Sequence, residues 1–130
     1  MKNWDKNPSI ADGFITEFGF NLSIGDDFDA GCGLKIIDCN EVSIGNNVTI
    51  GENVGIYTSN HAKDPKLRCD HWCSELPIRI GNNVVIESNS VVLPGTIIED
   101  NVWIRPGSVV LGRIEADSIC AGDPARRESK

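Results

Sequence analysis

IRIGNNVVIESNSVVLPGTIIEDNVWIRPGSVVL, residues 78–111, is the stretch that decides the fold. Every sixth residue in it is a large aliphatic one: Ile80, Ile86, Val92, Ile98, Ile104 and Val110. A second column runs two residues ahead of the first: Ile78, Val84, Ser90, Thr96, Val102 and Ser108. A period of six is a multiple of the two-residue repeat of a β-strand and a poor match to the 3.6 residues of a helical turn. The stretch therefore predicts a series of short strands.

The same phase continues upstream, through Ile44, Ile50 and Ile56. Glycine and then Asn, Asp or Glu follow the aliphatic residue in IGDD (24–27), IGNN (44–47), IGEN (50–53) and IGNN (80–83). Glycine, Asn and Asp suit tight corners with positive φ. We expect short strands joined by corners, with successive coils stacked so that like residues lie over one another. The predicted fold class is all-β, a parallel β-helix built from hexapeptide repeats.

Composition limits the class of protein. The chain has 130 residues, of which 40% are hydrophobic, and a formal net charge of −7. This length predicts one domain, and the negative charge argues against nucleic acid or an anionic membrane surface as the main partner. The first eight residues, MKNWDKNP, hold no apolar run, and no stretch is long enough for a membrane span. We therefore expect a cytoplasmic protein whose five cysteines are reduced.

The segment Cys69-Asp70-His71-Trp72-Cys73 brings together residue types that bind zinc. It lacks a fourth ligand at a usual spacing, and the pattern C-x-x-x-C with a central His fits no common zinc motif. We interpret these residues as part of an exposed loop and predict that no metal is required.

Two interruptions of the period point to function. Ile24 and Ile44 are three periods plus two residues apart, so the phase shifts within 37–43, where Asp38 lies. The shift predicts a widened corner that re-aims a side chain, with a tolerated surface insertion as an equal alternative. The second interruption, residues 60–77, lacks aliphatic residues in the columns and predicts a long extruded loop of the kind that carries function. His61 stands at its start, and imidazole is suited to general acid–base chemistry at neutral pH.

These motifs resemble the hexapeptide-repeat, or left-handed β-helix, acyltransferase superfamily, and within it the maltose/galactoside O-acetyltransferase branch. The resemblance rests on FITEFGFNLSIGDDF (14–28), VGIYTSNHAKDP (54–65), LPIRIGNNVVI (76–86), SVVLPGTIIEDNVWIRPGSVV (90–110) and AGDPARR (121–127). It implies the left hand of the solenoid and a single domain over 1–130. Within that domain it implies a lead-in at 1–19, coils at 20–113 interrupted by the 60–77 loop, and a C-terminal cofactor segment at 114–130.

The resemblance also implies an activity. Acetyl-CoA would be the co-substrate, and its acetyl group would pass directly to a hydroxyl of a sugar or related small molecule. His61 would act as general base, while Asp38, Glu17 and Asn60 would line the acceptor pocket. Residues of the late coils and the C-terminal segment would bind the cofactor: Val85, Ser88, Gly107, Ser108, Gly122, Pro124, Arg126 and Arg127. Family members are homotrimers with the active site between subunits, so assembly of the chain with itself is expected.

Within that cofactor set, Ser88 is the candidate donor to the oxyanion, and Arg126 or Arg127 is the candidate partner of the 3′-phosphate. The sequence departs from the family pattern at Val85, where the family has Trp, at Glu87, where it has Gly, and at Arg105-Pro106, where it has a Gly-Ala-like pair.

Three other functions are compatible with a β-helix fold and are weighed against the sequence. A γ-type carbonic anhydrase needs three His ligands around zinc, and the chain has only His61 and His71, which excludes it. An N-acetyltransferase of an amino-sugar would use the same base. A catalytically silent trimeric scaffold is the third alternative, and the retention of His61 argues against it.

Overall fold

The computed structural model describes residues 9–17, 19, 21–61 and 73–128, and every regular element in them is a β-strand. The strands are Ser9–Ile10 (β1), Ile15–Thr16 (β2), Leu22–Ile24 (β3), Asp29–Ala30 (β4), Lys35–Ile37 (β5), Val42–Ile44 (β6), Thr49–Ile50 (β7), Gly55–Tyr57 (β8), Ser59–His61 (β9), Cys73–Glu75 (β10), Ile78–Ile80 (β11), Val85–Ile86 (β12), Val91–Val92 (β13), Ile97–Ile98 (β14), Trp103–Ile104 (β15), Val109–Val110 (β16), Arg113–Ile114 (β17), Ile119–Gly122 (β18) and Ala125–Arg127 (β19). Among the residues placed, no helix is long and apolar enough to cross a membrane.

Apart from the antiparallel pair β9 and β10, the strands form three parallel sheets that the chain visits in turn. Sheet I is β1-β4-β7-β12-β15-β18, with β19 added antiparallel at its end; sheet II is β2-β5-β8-β13-β16, and sheet III is β3-β6-β11-β14-β17. We call the connections from sheet I to II, II to III and III to I corners I/II, II/III and III/I. Each coil therefore has three strands and three corners, which confirms the predicted all-β parallel solenoid.

The core is the stack of inward side chains, one on each two-residue strand and two on strands such as β6 and β11. Ile44, Ile80 and Ile98 lie in register on sheet III, and each is at most 3% exposed. Hydroxyl-bearing residues in the second column are also buried, because each donates to a carbonyl at its own corner. Thr96 Oγ1 donates to Leu93 O at 2.7 Å, and Ser118 Oγ donates to Glu115 O at 2.6 Å. A small polar residue thus fills an inward position without an unsatisfied hydrogen-bonding group.

Corner III/I shows why the glycine of the repeat is required. The side chain of Asn82 accepts a hydrogen bond from Asn46 N, and Asp100 accepts one from Asn82 N, both at 2.7 Å. A Cβ on Gly45 would lie 2.4 Å from Asn82 Oδ1, and one on Gly81 would lie 2.3 Å from Asp100 Oδ1. The glycine in one coil makes room for the polar side chain that caps it from the next coil.

The coils extend beyond the predicted limits of 20–113. Strands β1 and β2 pair with β4 and β5, and β17 and β18 pair with β14 and β15, so the solenoid includes part of the predicted lead-in and part of the predicted C-terminal segment. Two of the inward residues there are short, Thr16 at one end and Cys120 at the other. Corner II/III also changes length: Thr16 to Ile24 spans eight residues and Val110 to Ile114 spans four. Both features hide the six-residue period.

Candidate active site

Corner II/III brings together both interruptions of the repeat. Glu17 directly follows β2, Asp38 directly follows β5, and Thr58 directly follows β8. The three strands are neighbours in sheet II, with Ile15 opposite Lys35 and Ile37 opposite Tyr57. Two features that are far apart in the sequence, the phase shift at 37–43 and the long loop, therefore occupy the same edge of the prism on successive coils.

Asp38 is wholly buried in this widened corner. Its Oδ2 accepts a hydrogen bond from Asn21 N at 3.2 Å, and its backbone carbonyl accepts one from Asn21 Nδ2 at 2.8 Å. The predicted phase shift is confirmed, because Ile36 and Ile44 are eight residues apart. The Asp38 side chain is 0% exposed in the single chain, and its contact with an acceptor stays a prediction. The two extra residues turn the carboxylate inward, where it holds the corner of the preceding coil.

Thr58 fixes the base of the extruded loop. Its N and Oγ1 both donate to Ile37 O, at 3.1 and 2.6 Å, and Oγ1 accepts from Asn40 N at 3.1 Å. Thr58 O accepts from Leu76 N at 2.8 Å, so the chain returns from the loop beside the point where it left. These contacts join the corner that holds Asp38 to the loop.

The loop begins and ends as an antiparallel ribbon. His61 lies opposite Cys73, Asn60 opposite Ser74 and Ser59 opposite Glu75. This ladder fixes the backbone of His61 three residues beyond Thr58. The side chains of Asn60, His61 and Cys73 lie outside the described part of the structure, as do residues 62–72 with the rest of the Cys69–Cys73 cluster. Glu17, the other predicted acceptor residue, is exposed at the same edge, and its N donates to Ile36 O at 3.3 Å.

The predicted cofactor residues lie at another edge, along sheet I and corner I/II. A groove of about 310 Å³ is lined by Thr49, Gly51, Val85, Ile86, Glu87, Ser88 and Pro106. Ser88 Oγ accepts a hydrogen bond from Glu52 N at 2.9 Å. Among the residues described, no acceptor takes the Ser88 hydroxyl hydrogen, so this hydroxyl is available as a donor at the groove. The groove combines apolar walls with the hydroxyl-bearing residues Thr49 and Ser88, and the Glu87 carboxylate adds a negative charge.

Gly107 and Ser108 differ in what they offer. Gly107 is exposed, and a Cβ on it would have no atom within 4 Å, so the surface above it is open. Ser108 is 1% exposed; its Oγ donates to Arg105 O at 2.7 Å, and its N donates to Ser90 Oγ at 3.3 Å. The structure thus places the Ser108 side chain inside the prism as part of the core.

The C-terminal segment folds back on the last coil. β19 pairs antiparallel with β18, with Ala121 opposite Arg126 and Cys120 opposite Arg127. Gly122, at a φ of 103°, and Pro124 form the connecting turn, and both are exposed, as are the two arginines. A pocket of about 240 Å³ at this end of the prism is lined in part by Ala125, Arg126 and Arg127.

The predicted site residues therefore fall into two groups that one chain keeps apart. Glu17, Asp38 and the backbone of Asn60 and His61 lie at corner II/III, whereas the cofactor residues lie at sheet I and corner I/II. The width of sheet II separates the two groups. Within the described ranges, no cluster of three or more His, Cys, Asp or Glu side chains could hold a metal ion.

Sequence reasoning misses Asn21 and Thr58. Both are short polar residues beside breaks in the period, and the position of the breaks is the signal that could have found them. Their hydrogen bonds depend on which coils are neighbours, which the period of a single coil does not specify.

Comparison with known proteins agrees with this architecture. The family models for bacterial transferase hexapeptide (six repeats) and for the hexapeptide repeat of succinyl-transferase match residues 77–112 and 41–59. A maltose O-acetyltransferase from Clostridium difficile 630 is 32% identical and superposes with a TM-score of 0.92, over 98% of this chain and 68% of the other. A galactoside acetyltransferase solved in complex with coenzyme A is 34% identical, with a TM-score of 0.87 over 94% of this chain and 64% of the other.

Among curated sequences, the galactoside O-acetyltransferase of Escherichia coli strain K12 is 40% identical over 109 residues, which are 84% of this chain and 54% of that protein. The chain spans little more than half the length of such curated relatives. The superposition on the maltose O-acetyltransferase confirms the left-handed parallel β-helix. The chain thus belongs to the hexapeptide-repeat acyltransferase superfamily, and within it the chain is similar to the maltose/galactoside O-acetyltransferase branch.

Proposed function

We propose that this protein is an acetyl-CoA-dependent O-acetyltransferase, active as a homotrimer whose sites form between corner II/III of one subunit and corner I/II of the next. The observation that carries the proposal is the separation of the two groups of residues on one chain. A base and a thioester must come within about 3–3.5 Å of the reacting atoms. One chain cannot supply both, whereas the partner subunit in a cyclic trimer presents the second edge to the first.

His61 supplies the base. Its neutral imidazole takes the proton of the acceptor hydroxyl as that oxygen attacks the carbonyl carbon of the thioester. The carbon–sulfur bond then breaks, the acetyl group stays on the acceptor oxygen, and the imidazolium returns its proton to the departing CoA thiolate. The ribbon of β9 and β10, anchored by Thr58, holds the backbone of this residue in place. General-base assistance of this kind contributes roughly 10²- to 10⁴-fold in rate.

Acetyl-CoA lies in the groove at corner I/II. Val85 and Pro106 form apolar walls for its extended arm, and the Ser88 hydroxyl or a backbone N–H stabilises the negative charge that develops on the carbonyl oxygen. Gly107 leaves the path open, Gly122 and Pro124 shape the turn beyond it, and Arg126 or Arg127 meets the 3′-phosphate.

The acceptor is a sugar or a related small hydroxyl compound at corner II/III. Two relatives named as galactoside and maltose O-acetyltransferases support this class. Glu17 and Asn60 are the contacts to the acceptor hydroxyls. Asp38 acts as a positioning residue, because its buried carboxylate fixes Asn21 and the corner on which the pocket is built.

The test is a measurement of thiol release from acetyl-CoA over a panel of sugars and amino-sugars, with wild type, His61→Ala and His71→Ala. His71 is the only other histidine and lies in the same loop segment, so it controls for general disturbance of the loop. We expect His61→Ala to lose about 10²- to 10⁴-fold in kcat. His71→Ala should keep the wild-type rate, and both should keep the wild-type affinity for CoA.

Three results would contradict the proposal. If wild type does not bind CoA at millimolar concentration, the protein is not an acetyl-CoA-dependent enzyme. If His61→Ala turns over as fast as wild type, His61 is not the general base. Acetylation of amines alone would replace O-transfer by N-transfer.

A further inference from the structure

The outer face of sheet I changes character along the prism. Its outward residues, in register from one coil to the next, are Asp29, Thr49, Val85, Trp103 and Ile119. The first two are polar and the last three are apolar. Trp103 and Ile119 are each 43% exposed, so a large aromatic ring and an aliphatic neighbour face outward together on adjacent strands. Such a stripe on a strongly charged protein indicates a binding surface.

Cations lie on the same face. Arg105 follows Trp103 by two residues, and its N donates to Cys120 O at 2.9 Å, so strand alternation puts both side chains on the outer side. Arg105 Nε lies 3.3 Å from Glu128 Oε1, which holds the guanidinium close to the surface of the sheet. Arg126 is opposite Ala121, two residues beyond Ile119, and therefore shares this side.

The stripe continues the groove already described. A second groove, of about 380 Å³, is lined by Val85, Trp103 and Ile119 together with Asn83, Asn101, Val102, Asp117 and Ser118. Val85 belongs to both grooves. From Val85 on β12 to Arg126 on β19 there are three strand spacings, roughly 14 Å. Along that line the surface is first apolar, then aromatic and then cationic.

We propose that Trp103 and Arg105 bind the nucleotide end of CoA, with the indole stacked on the adenine ring and the guanidinium facing the phosphates. The inference rests on the proposed function and assigns Trp103 and Arg105 to the nucleotide end of the same site. Aromatic side chains stack on bases regardless of base identity, and Arg is the side chain that best matches phosphate oxygens. Glu128 orients Arg105 before the ligand arrives and thereby limits the entropy lost on binding.

The test is calorimetric titration with CoA and, separately, with acetyl-pantetheine, which lacks the nucleotide. We expect Trp103→Ala to weaken CoA binding by roughly 5- to 100-fold, as for other base–aromatic stacks, and to leave acetyl-pantetheine binding unchanged. Trp103→Phe should recover most of the affinity. Arg105→Ala should weaken CoA binding and reduce its dependence on salt.

Sheet III offers matched controls. Ile97 is 38% exposed on its outer face, and the exposed Arg79 lies opposite it on the neighbouring strand. Ile97→Ala and Arg79→Ala should both bind CoA as wild type does.

Wild-type CoA affinity in Trp103→Ala would overturn this inference and leave the proposed function standing. Failure of wild type to bind CoA would overturn both. A change in oligomeric state of Trp103→Ala, measured by sedimentation, would identify the stripe as a subunit contact and also overturn the inference.

Discussion

Corners III/I and II/III connect the same stacked coils and follow opposite rules. At corner III/I, an Asn or Asp occupies the same place in coil after coil and caps the coil before it, as Asn46, Asn82 and Asp100 do. At corner II/III the first two connections are each two residues longer than the repeat, and the third leads into the ribbon of β9 and β10. The regular edge supplies rigidity through repetition. The core and that edge hold the strands in register, so the other edge can vary and carry the side chains suited to chemistry.

The largest expected effect is a loss of stability on substitution of a core residue in the regular coils. Ile98 is 1% exposed on β14, and its neighbour Ile97 points outward. We expect Ile98→Ala to lower the free energy of unfolding by about 2–5 kcal/mol, because it removes buried methyl groups and leaves a cavity in the prism. Ile97→Ala should change it by less than about 0.5 kcal/mol. Chemical denaturation of both variants measures the difference; equal losses would mean that the inward column is not the core.

A middle-sized effect is expected at the variable edge. Asp38→Ala leaves the Asn21 N–H without its carboxylate partner, and an unpaired buried donor costs about 1–3 kcal/mol. We expect a loss of stability in that range, together with a raised KM for the acceptor and an unchanged affinity for CoA. Asp38→Asn, which keeps an acceptor oxygen, should recover part of both losses.

Asp29→Ala is the matched control for this prediction, because Asp29 is an exposed aspartate on sheet I. It should leave both stability and KM near wild type. If Asp38→Ala weakened binding of CoA and of the acceptor alike, Asp38 would not belong specifically to the acceptor edge.

The smallest expected effect concerns an ion pair at corner III/I. The hydrogen bond from Arg113, followed by one from Ala116 N, holds the pKa of Glu99 below its ordinary value. A carboxyl whose pKa is lowered by folding stabilises the protein above its unfolded pKa, and this stabilisation is lost as pH falls through the folded pKa. Wild type should therefore melt slightly higher than Glu99→Gln at neutral pH, and the gap should close in acid. High salt should also narrow it, because the pair is exposed. A difference in melting temperature that widens in acid would mean that folding does not lower the pKa of Glu99.

The sequence predicts the two edges unequally well. The late coils can be predicted from the sequence because Ile80, Ile86 and Ile98 keep a strict six-residue period, which indicates one shared core. The ends of the solenoid cannot be predicted in this way, because Thr16 and Cys120 are not the large aliphatic residues that mark an inward column. The phase shift locates Asp38 correctly, but a period describes spacing along the chain, and only packing between coils decides that this carboxylate turns inward onto Asn21. Trp103 looks like an ordinary strand residue until Val85 and Ile119 are placed on either side of it.

Sharing of the active site between two edges is the central claim, and a subunit-mixing experiment tests it most directly. His61→Ala removes the base from corner II/III, and Val85→Glu obstructs the groove at corner I/II, so each variant alone should be inactive. Co-assembly in equal amounts should restore about a quarter of wild-type activity, because random assembly joins the two intact edges in about one contact out of four. Mixed assemblies that form normally and stay inactive would contradict the account.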